Sequence, residues 1–156
     1  MNPLPGRIAA IDYGTRRIGI AVSDPAQQIA SPYETYARGD DAADRARFRR
    51  LAEEERIVRF VVGLPVHLDG NESQKSFEAR RFGTWLAEAT GREVEFFDER
   101  FTTYEAEQAL NAAGFTKKQR KARLDKLAAQ ILLTAYLESR AAGQGRPSDS
   151  TRGLDD

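Results

Sequence analysis

Three acidic residues stand where a buried carboxylate would carry chemistry. Asp12 closes an apolar segment, Asp98 or Glu99 ends a second predicted strand, and Asp125 falls on the apolar stripe of a predicted helix. Buried carboxylates that lie close together are costly unless cations neutralise them. Convergence of these three acids would therefore predict bound divalent metal.

The sequence restricts which metal such a site would take. It has no cysteine, and His67 is its one histidine, so thiolate zinc sites, cysteine nucleophiles and multi-histidine sites are excluded. Oxygen ligands of this kind suit Mg²⁺ or Mn²⁺. Two such ions about 3.5 to 4 Å apart activate water and stabilise the leaving oxygen in phosphodiester hydrolysis, so we expect two ions here.

Hydrophobic periodicity predicts the elements that would position the three acids. Predicted strands cover residues 7–12, 18–23, 28–36, 57–64 and 93–98. Predicted helices cover residues 42–56, 73–90, a segment from Thr102 or Thr103 to Ala113, a short basic stretch capped by Thr116, and residues 124–141. A three-strand meander followed by alternating helix and strand indicates an α/β fold with a five-stranded mixed sheet and helices on both faces.

Length and composition predict one domain without a membrane segment. The 156 residues fit a single domain over 1–141, followed by a polar tail at 142–156 that we expect to be disordered. No long apolar run or signal peptide is present, which favours the cytoplasm. The net charge is zero, but a local basic cluster lies between Phe115 and Lys126. This cluster is either a nucleic-acid contact or a solvated helix face.

Four segments of the chain resemble the YqgF family, also called RuvX, whose members are described as pre-16S ribosomal RNA nucleases or Holliday junction resolvase-like proteins. They occur in the family's order and span about Arg7 to Leu137. The segments are IAAIDYGTRRIGIAVSD (8–24), VVGLPVHLDGNESQKS (61–76), FDERFTTYEA (97–106) and LDKLAAQILLTAYL (124–137).

The resemblance implies a ribonuclease H-like fold and a role in maturing the 5′ end of 16S ribosomal RNA. It implies that Asp12 is the first-strand metal ligand, Glu99 the acid of the Asp-Glu-Arg motif and Asp125 the acid that opens the last helix. These three are our predicted catalytic residues and metal ligands. Because side chains alternate along a strand, only one of Asp98 and Glu99 should face the metal ions.

A second group of residues is predicted to bind the substrate. Arg100 is suited to a phosphate or a neighbouring carboxylate. His67 replaces the asparagine that is usual in the family's second motif, and we interpret it as an ordinary loop residue. The full predicted set is Thr15, Arg16, Asp69, Arg100, Lys117, Lys118 and Lys121.

The sequence leaves three functions open. The same carboxylates would cleave structured RNA, such as pre-16S ribosomal RNA, or branched DNA. Resolution of a four-way junction needs two active sites related by two-fold symmetry, so a homodimer would favour a resolvase and a monomer would favour RNA trimming. The third possibility is a non-catalytic RNA-binding or ribosome-binding factor that retains the fold. An actin-like or sugar-kinase-like ATPase is disfavoured, because the chain lacks the second half that encloses ATP.

Overall fold

The computed structural model describes residues 5–65, 73–99, 108 and 111–143. Its strands are β1 (Arg7–Asp12), β2 (Arg17–Ser23), β3 (Ala30–Ala37), β4 (Ile57–Leu64) and β5 (Glu93–Asp98). Its helices are α1 (Asp41–Glu54), α2 (Gln74–Thr90) and α3 (Lys117–Gly143).

The five strands form one mixed sheet in the order β3-β2-β1-β4-β5. Strand β1 pairs antiparallel with β2, and β2 pairs antiparallel with β3, which gives the predicted meander. Strand β4 runs parallel to both β1 and β5. The carboxyl ends of β1, β4 and β5 therefore meet at one edge of the sheet, and Asp12 and Asp98 are the last residues of β1 and β5.

Helices cover both faces of the sheet, as predicted. Alternate residues of β1 point to opposite faces. Ala9 and Ile11 pack in a core with residues of α1 and α2, whereas Ile8 and Ala10 pack in a second core with residues of α3. A side chain's position along its strand thus determines which helices it meets.

The sequence begins and ends the helices with recognisable caps. The side chain of Asp40 accepts a hydrogen bond from the Ala43 N–H at 2.8 Å at the start of α1. Ser73 caps α2, which ends at Gly91 in the left-handed conformation with φ of 72°. Strands β1, β4 and β5 have the predicted bounds, and Gly91 ends α2 as predicted.

The predicted division of the last helical region is wrong, whereas β2, β3 and α1 differ from their predicted bounds by one or two residues. The basic stretch after Thr116 and the last helix, predicted to begin at Leu124, form the single helix α3. Thr116 does cap it, because its hydroxyl accepts from the Gln119 N–H at 3.2 Å while the Gln119 side chain accepts from the Thr116 N–H at 2.9 Å. No proline or glycine follows until Gly143, so nothing stops the helix at the predicted gap.

Several predictions lie wholly or largely outside the described residues. These are the loop at 66–72 with His67 and Asp69, most of the helix predicted to end at Ala113, and the tail at 144–156. Helix α3 continues two residues past the predicted end of the domain at 141. In the part of the chain that the structure describes, no helix has the length and apolarity to cross a membrane.

Candidate active site

Asp12 and Glu99 line one cavity of about 340 Å³ at the carboxyl edge of the parallel strands. The first turns of α2 and the turn after β1 contribute to its wall. The remaining lining residues are Tyr13, Gly14, Thr15, Gly63, Pro65, Lys75, Glu78 and Ala79.

Asp12 is placed by the alternation of β1. Ile8 and Ala10 face α3, so Asp12, two residues further along, continues on the same face. A Cβ built on Gly19 would lie 3.4 Å from the Cβ of Asp12 and 3.7 Å from the Cβ of Ala129. Asp12 therefore lies next to α3, and it also lines a second cavity of about 360 Å³ together with Ala129.

Glu99 follows the last residue of β5 and extends over β4. Its backbone N–H donates to the carbonyl of Leu64 at 3.0 Å, which continues the strand pairing by one residue. A Cβ atom at position 63 would overlap the Glu99 carboxylate. Because glycine has no side chain, the carboxylate can occupy this space. A side chain at position 63 would displace the Glu99 carboxylate, so the glycine matters here for this close approach rather than for its backbone conformation.

The electrostatic surroundings of Glu99 disfavour its ionised form. Burial and, to a lesser extent, the charges of Asp12 and Asp98 together raise the pKa of Glu99 to about 7, whereas the charge of Lys75 acts in the opposite direction. The carboxylates of Asp12, Asp98 and Glu99 therefore concentrate negative charge at a site that is partly shielded from water. A cation bound among these oxygens would relieve that repulsion.

The third predicted ligand falls on α3. Position 125 lies four residues before Ala129, which is one helical turn. Ala129 is the α3 residue whose Cβ lies near Asp12 across Gly19. The side chain of Asp125 is outside the described residues. Among the side chains that are described, no group of three or more acids, histidines or cysteines is close enough to hold an ion.

The predicted substrate-binding residues divide into three groups. Thr15 lines the cavity, and Arg16 is exposed in the same turn. Lys117 and Lys118 are exposed in the first turn of α3 and do not line the cavity. Asp69, Arg100 and the side chain of Lys121 lie outside the described residues.

Sequence reasoning missed Lys75 as a site residue. Lys75 lies in the first turn of α2, where the helix dipole disfavours a cation, and that turn contains no acid. A basic residue at this unfavourable position was the signal available in the sequence. Only the fold shows that this turn faces Asp12 and Glu99.

Comparisons with known proteins show which family this chain resembles. The profile of the RuvX family, described as Holliday junction resolvase, matches residues 6–139. A protein of Rhodopirellula baltica named "Putative pre-16S rRNA nuclease" is 47% identical over 137 residues, which cover 88% of this chain and 79% of that protein. A relative of the same name from Koribacter versatilis is 40% identical, covering 93% of this chain and 95% of its own length.

Solved structures support the fold. RuvC of T. thermophilus, in complex with a Holliday junction substrate, superposes with a TM-score of 0.52 at 18% identity, covering 87% of this chain and 96% of RuvC. The yeast mitochondrial Holliday junction resolvase Ydc2 gives a TM-score of 0.51 at 9% identity, covering 99% of this chain and 87% of that one. These likenesses confirm the ribonuclease H-like α/β fold. The family profile and the curated relatives show that the chain belongs to the RuvX family of nucleases.

Proposed function

We propose that this protein is a divalent-metal-dependent nuclease that hydrolyses phosphodiester bonds of the 16S ribosomal RNA precursor near its 5′ end, in the cytoplasm. The observation that carries the proposal is the meeting of Asp12 and Glu99 at the carboxyl edge of the parallel strands, in a cavity open to a substrate. The names of the curated relatives support ribosomal RNA as the substrate.

The residues present fit a divalent cation. Asp12 and Glu99 offer only oxygen donors, and the missing side chain at Gly63 leaves room for one of the two carboxylates. We propose Asp12, Glu99 and Asp125 as ligands of Mg²⁺ or Mn²⁺, with two ions in the active enzyme. The bound metal would supply charge stabilisation of the reacting phosphate and an activated water.

The chain's own residues would bind and orient the substrate around these carboxylates. Lys75 contributes a positive charge to the wall of the cavity, where it suits a phosphate oxygen. Thr15 lines the same cavity, and its hydroxyl suits a second phosphate oxygen. Together they would hold the backbone of a nucleic acid near Asp12 and Glu99.

Replacing Lys75 by Ala should weaken substrate binding, because a charge-assisted hydrogen bond to phosphate is lost. We expect KM for cleavage to rise by about 10-fold or more. Lys75→Arg should keep most of the affinity because it keeps the charge. The measurement is steady-state cleavage of a labelled RNA.

Arg81→Ala is the matched control for Lys75→Ala. Arg81 is an exposed cation on the same helix that does not line the cavity, so its loss should leave KM unchanged. Equal KM values for Lys75→Ala, Arg81→Ala and the wild type would contradict the role proposed for Lys75.

Replacing Lys117, Lys118 and Lys121 by Ala should weaken RNA binding and flatten its salt dependence. Each lost phosphate contact reduces the slope of log K against log salt by about 0.7 to 0.9. Filter binding of RNA between low and moderate salt measures that slope. The control removes two exposed arginines elsewhere, Arg50 and Arg81. An unchanged slope in the triple variant would identify the start of α3 as a solvated helix face.

The substrate is tested by incubating the protein with a 16S precursor fragment and, in parallel, with a synthetic four-way DNA junction. The proposal predicts cleavage of the RNA near the 5′ end of the mature sequence. The RuvX family description makes junction resolution the second candidate. Cleavage of the junction alone would establish that candidate instead, and binding without cleavage of either would indicate a non-catalytic factor.

A further inference from the structure

A chain of hydrogen bonds connects α1 to the turn that follows Asp12. The carboxylate of Asp44 accepts from Nε of Arg38 at 3.2 Å, and Nη1 of Arg38 donates to the hydroxyl of Tyr13 at 3.0 Å. Tyr13 directly follows Asp12 and lines the cavity with it. Asp44 and Arg38 do not line that cavity, and this chain of hydrogen bonds reaches it through Tyr13.

Asp44 is buried and held by several hydrogen bonds. It is 1% exposed in the first turn of α1. Besides Arg38, it accepts from the hydroxyl of Tyr36 at 2.7 Å and from the N–H of Gly39 at 2.9 Å. A buried carboxylate with three donors at a helix N-terminus has little freedom to move, so it fixes the guanidinium of Arg38.

Arg38 holds the turn at two points. Its side chain reaches the hydroxyl of Tyr13 at the start of the turn, and its backbone N–H donates to the carbonyl of Arg16 at 3.0 Å at the end. The guanidinium carbon also lies 5.4 Å from the centre of the Tyr13 ring and 5.6 Å from that of Phe82. The residues between the two points, Gly14 and Thr15, line the cavity.

The turn needs such support because strand pairing ends at Asp12. The last β1–β2 pair joins Asp12 to Gly19, so residues 13–16 lie beyond the ladder. The ring of Tyr13 packs at 5.0 Å from that of Phe82, which fixes the ring, while the bond from Arg38 fixes its outer end. Together these contacts determine how the backbone leaves Asp12.

We propose that Arg38 and Asp44 are positioning residues for the reaction, acting through Tyr13 on Asp12 and Thr15. The proposal rests on the nuclease function proposed above. It assigns an orienting role to the Arg38–Asp44 ion pair, which lies on the α1 side of the sheet. It predicts that removal of the Tyr13 hydroxyl lowers kcat, although we assign this hydroxyl no contact with the substrate.

The first test is Tyr13→Phe, which keeps the ring contact with Phe82 and removes only the hydroxyl. We expect kcat to fall by about 3- to 10-fold, as the loss of one orienting hydrogen bond permits. KM and the melting temperature should stay close to wild type.

Tyr136→Phe is the matched control. The hydroxyl of Tyr136 also accepts from arginine side chains, Arg59 at 3.4 Å and Arg140 at 3.0 Å, and it donates to the carboxylate of Glu95. Tyr136 lines neither cavity that contains Asp12. Its kcat should equal that of the wild type. An equal fall of kcat in both variants would attribute the effect to general loosening and overturn the proposal.

The second test combines Arg38→Lys with Tyr13→Phe. A lysine keeps the charge beside Asp44 but cannot reproduce the fork that reaches Asp44 and Tyr13 together. If Arg38 acts through Tyr13, the double variant has the same kcat as the slower single variant. If the reductions of kcat in the two single variants multiply in the double variant, Arg38 does not act through Tyr13.

An NMR measurement on the free protein separates this proposal from the nuclease proposal. Tyr13→Phe should shift the amide signals of Gly14 and Thr15, whereas Tyr136→Phe should leave them in place. If the wild type cleaves no nucleic acid, the nuclease proposal fails and these amide shifts alone decide whether Arg38 orders the turn. Unchanged shifts and unchanged kcat in Tyr13→Phe would overturn the positioning role.

Discussion

Asp12→Asn should reduce metal-dependent cleavage by more than about 100-fold, beyond the loss typical of residues that only support metal ligands. The amide keeps the shape of the side chain but removes the charge that would hold a cation next to Glu99. Without metal, the variant should fold and be at least as stable as the wild type, because repulsion between two neighbouring carboxylates is relieved. Single-turnover cleavage and thermal unfolding in chelator measure the two effects.

Glu53→Gln is a suitable control for Asp12→Asn. Glu53 is an exposed acid on α1, so its replacement removes one negative charge without touching the cavity. Its cleavage rate should match that of the wild type. Cleavage retained by Asp12→Asn at the control's rate would contradict the assignment of Asp12 as a metal ligand.

Glu99→Gln should stabilise the metal-free protein at alkaline pH. The pKa of Glu99 is about 7 in the folded chain against an ordinary value of 4.5. The folded protein therefore binds this proton more tightly than the unfolded protein does. The protonated carboxyl group contributes its full share of the folding stability below pH 4.5, and that share is lost as the pH rises through 7. Above that pH the ionised carboxylate costs on the order of 3 kcal/mol. Glutamine has no such cost.

The measurement is urea unfolding of wild type and Glu99→Gln in chelator between pH 4.5 and 8. The difference in the free energy of unfolding should grow with pH in favour of the variant and level off above pH 7. Adding Mg²⁺ at pH 8 should stabilise the wild type more than the variant, because a cation offsets the cost of the ionised acid. A difference that stays constant with pH would show that Glu99 titrates like an exposed acid.

Much of the fold could be predicted because the local signals agree with the tertiary structure. The continuous apolar run of β4 is typical of a strand covered on both faces, and the sheet does carry helices on both faces. Asp40, Ser73 and Gly91 mark helix ends through caps that depend on few neighbours. The predicted division of α3 is wrong because the change from basic to apolar composition within it does not interrupt a helix.

The site could be predicted only in part. Alternation indicated that one of Asp98 and Glu99 should face the other acids, and the structure places Glu99 in the cavity with Asp12. Lys75 was not predicted, because its position depends on how α2 packs at the sheet edge. The bond between Arg38 and Tyr13 joins residues 25 positions apart and leaves no periodic signal in the sequence.

The most direct test of the central claim is cleavage of the 16S precursor fragment by the wild-type protein in chelator, followed by addition of Mg²⁺ or Mn²⁺. If Asp12 and Glu99 hold the metal that the reaction needs, cleavage is absent in chelator and returns with either ion. Cleavage that continues at full rate in chelator would contradict a metal-dependent nuclease at this site.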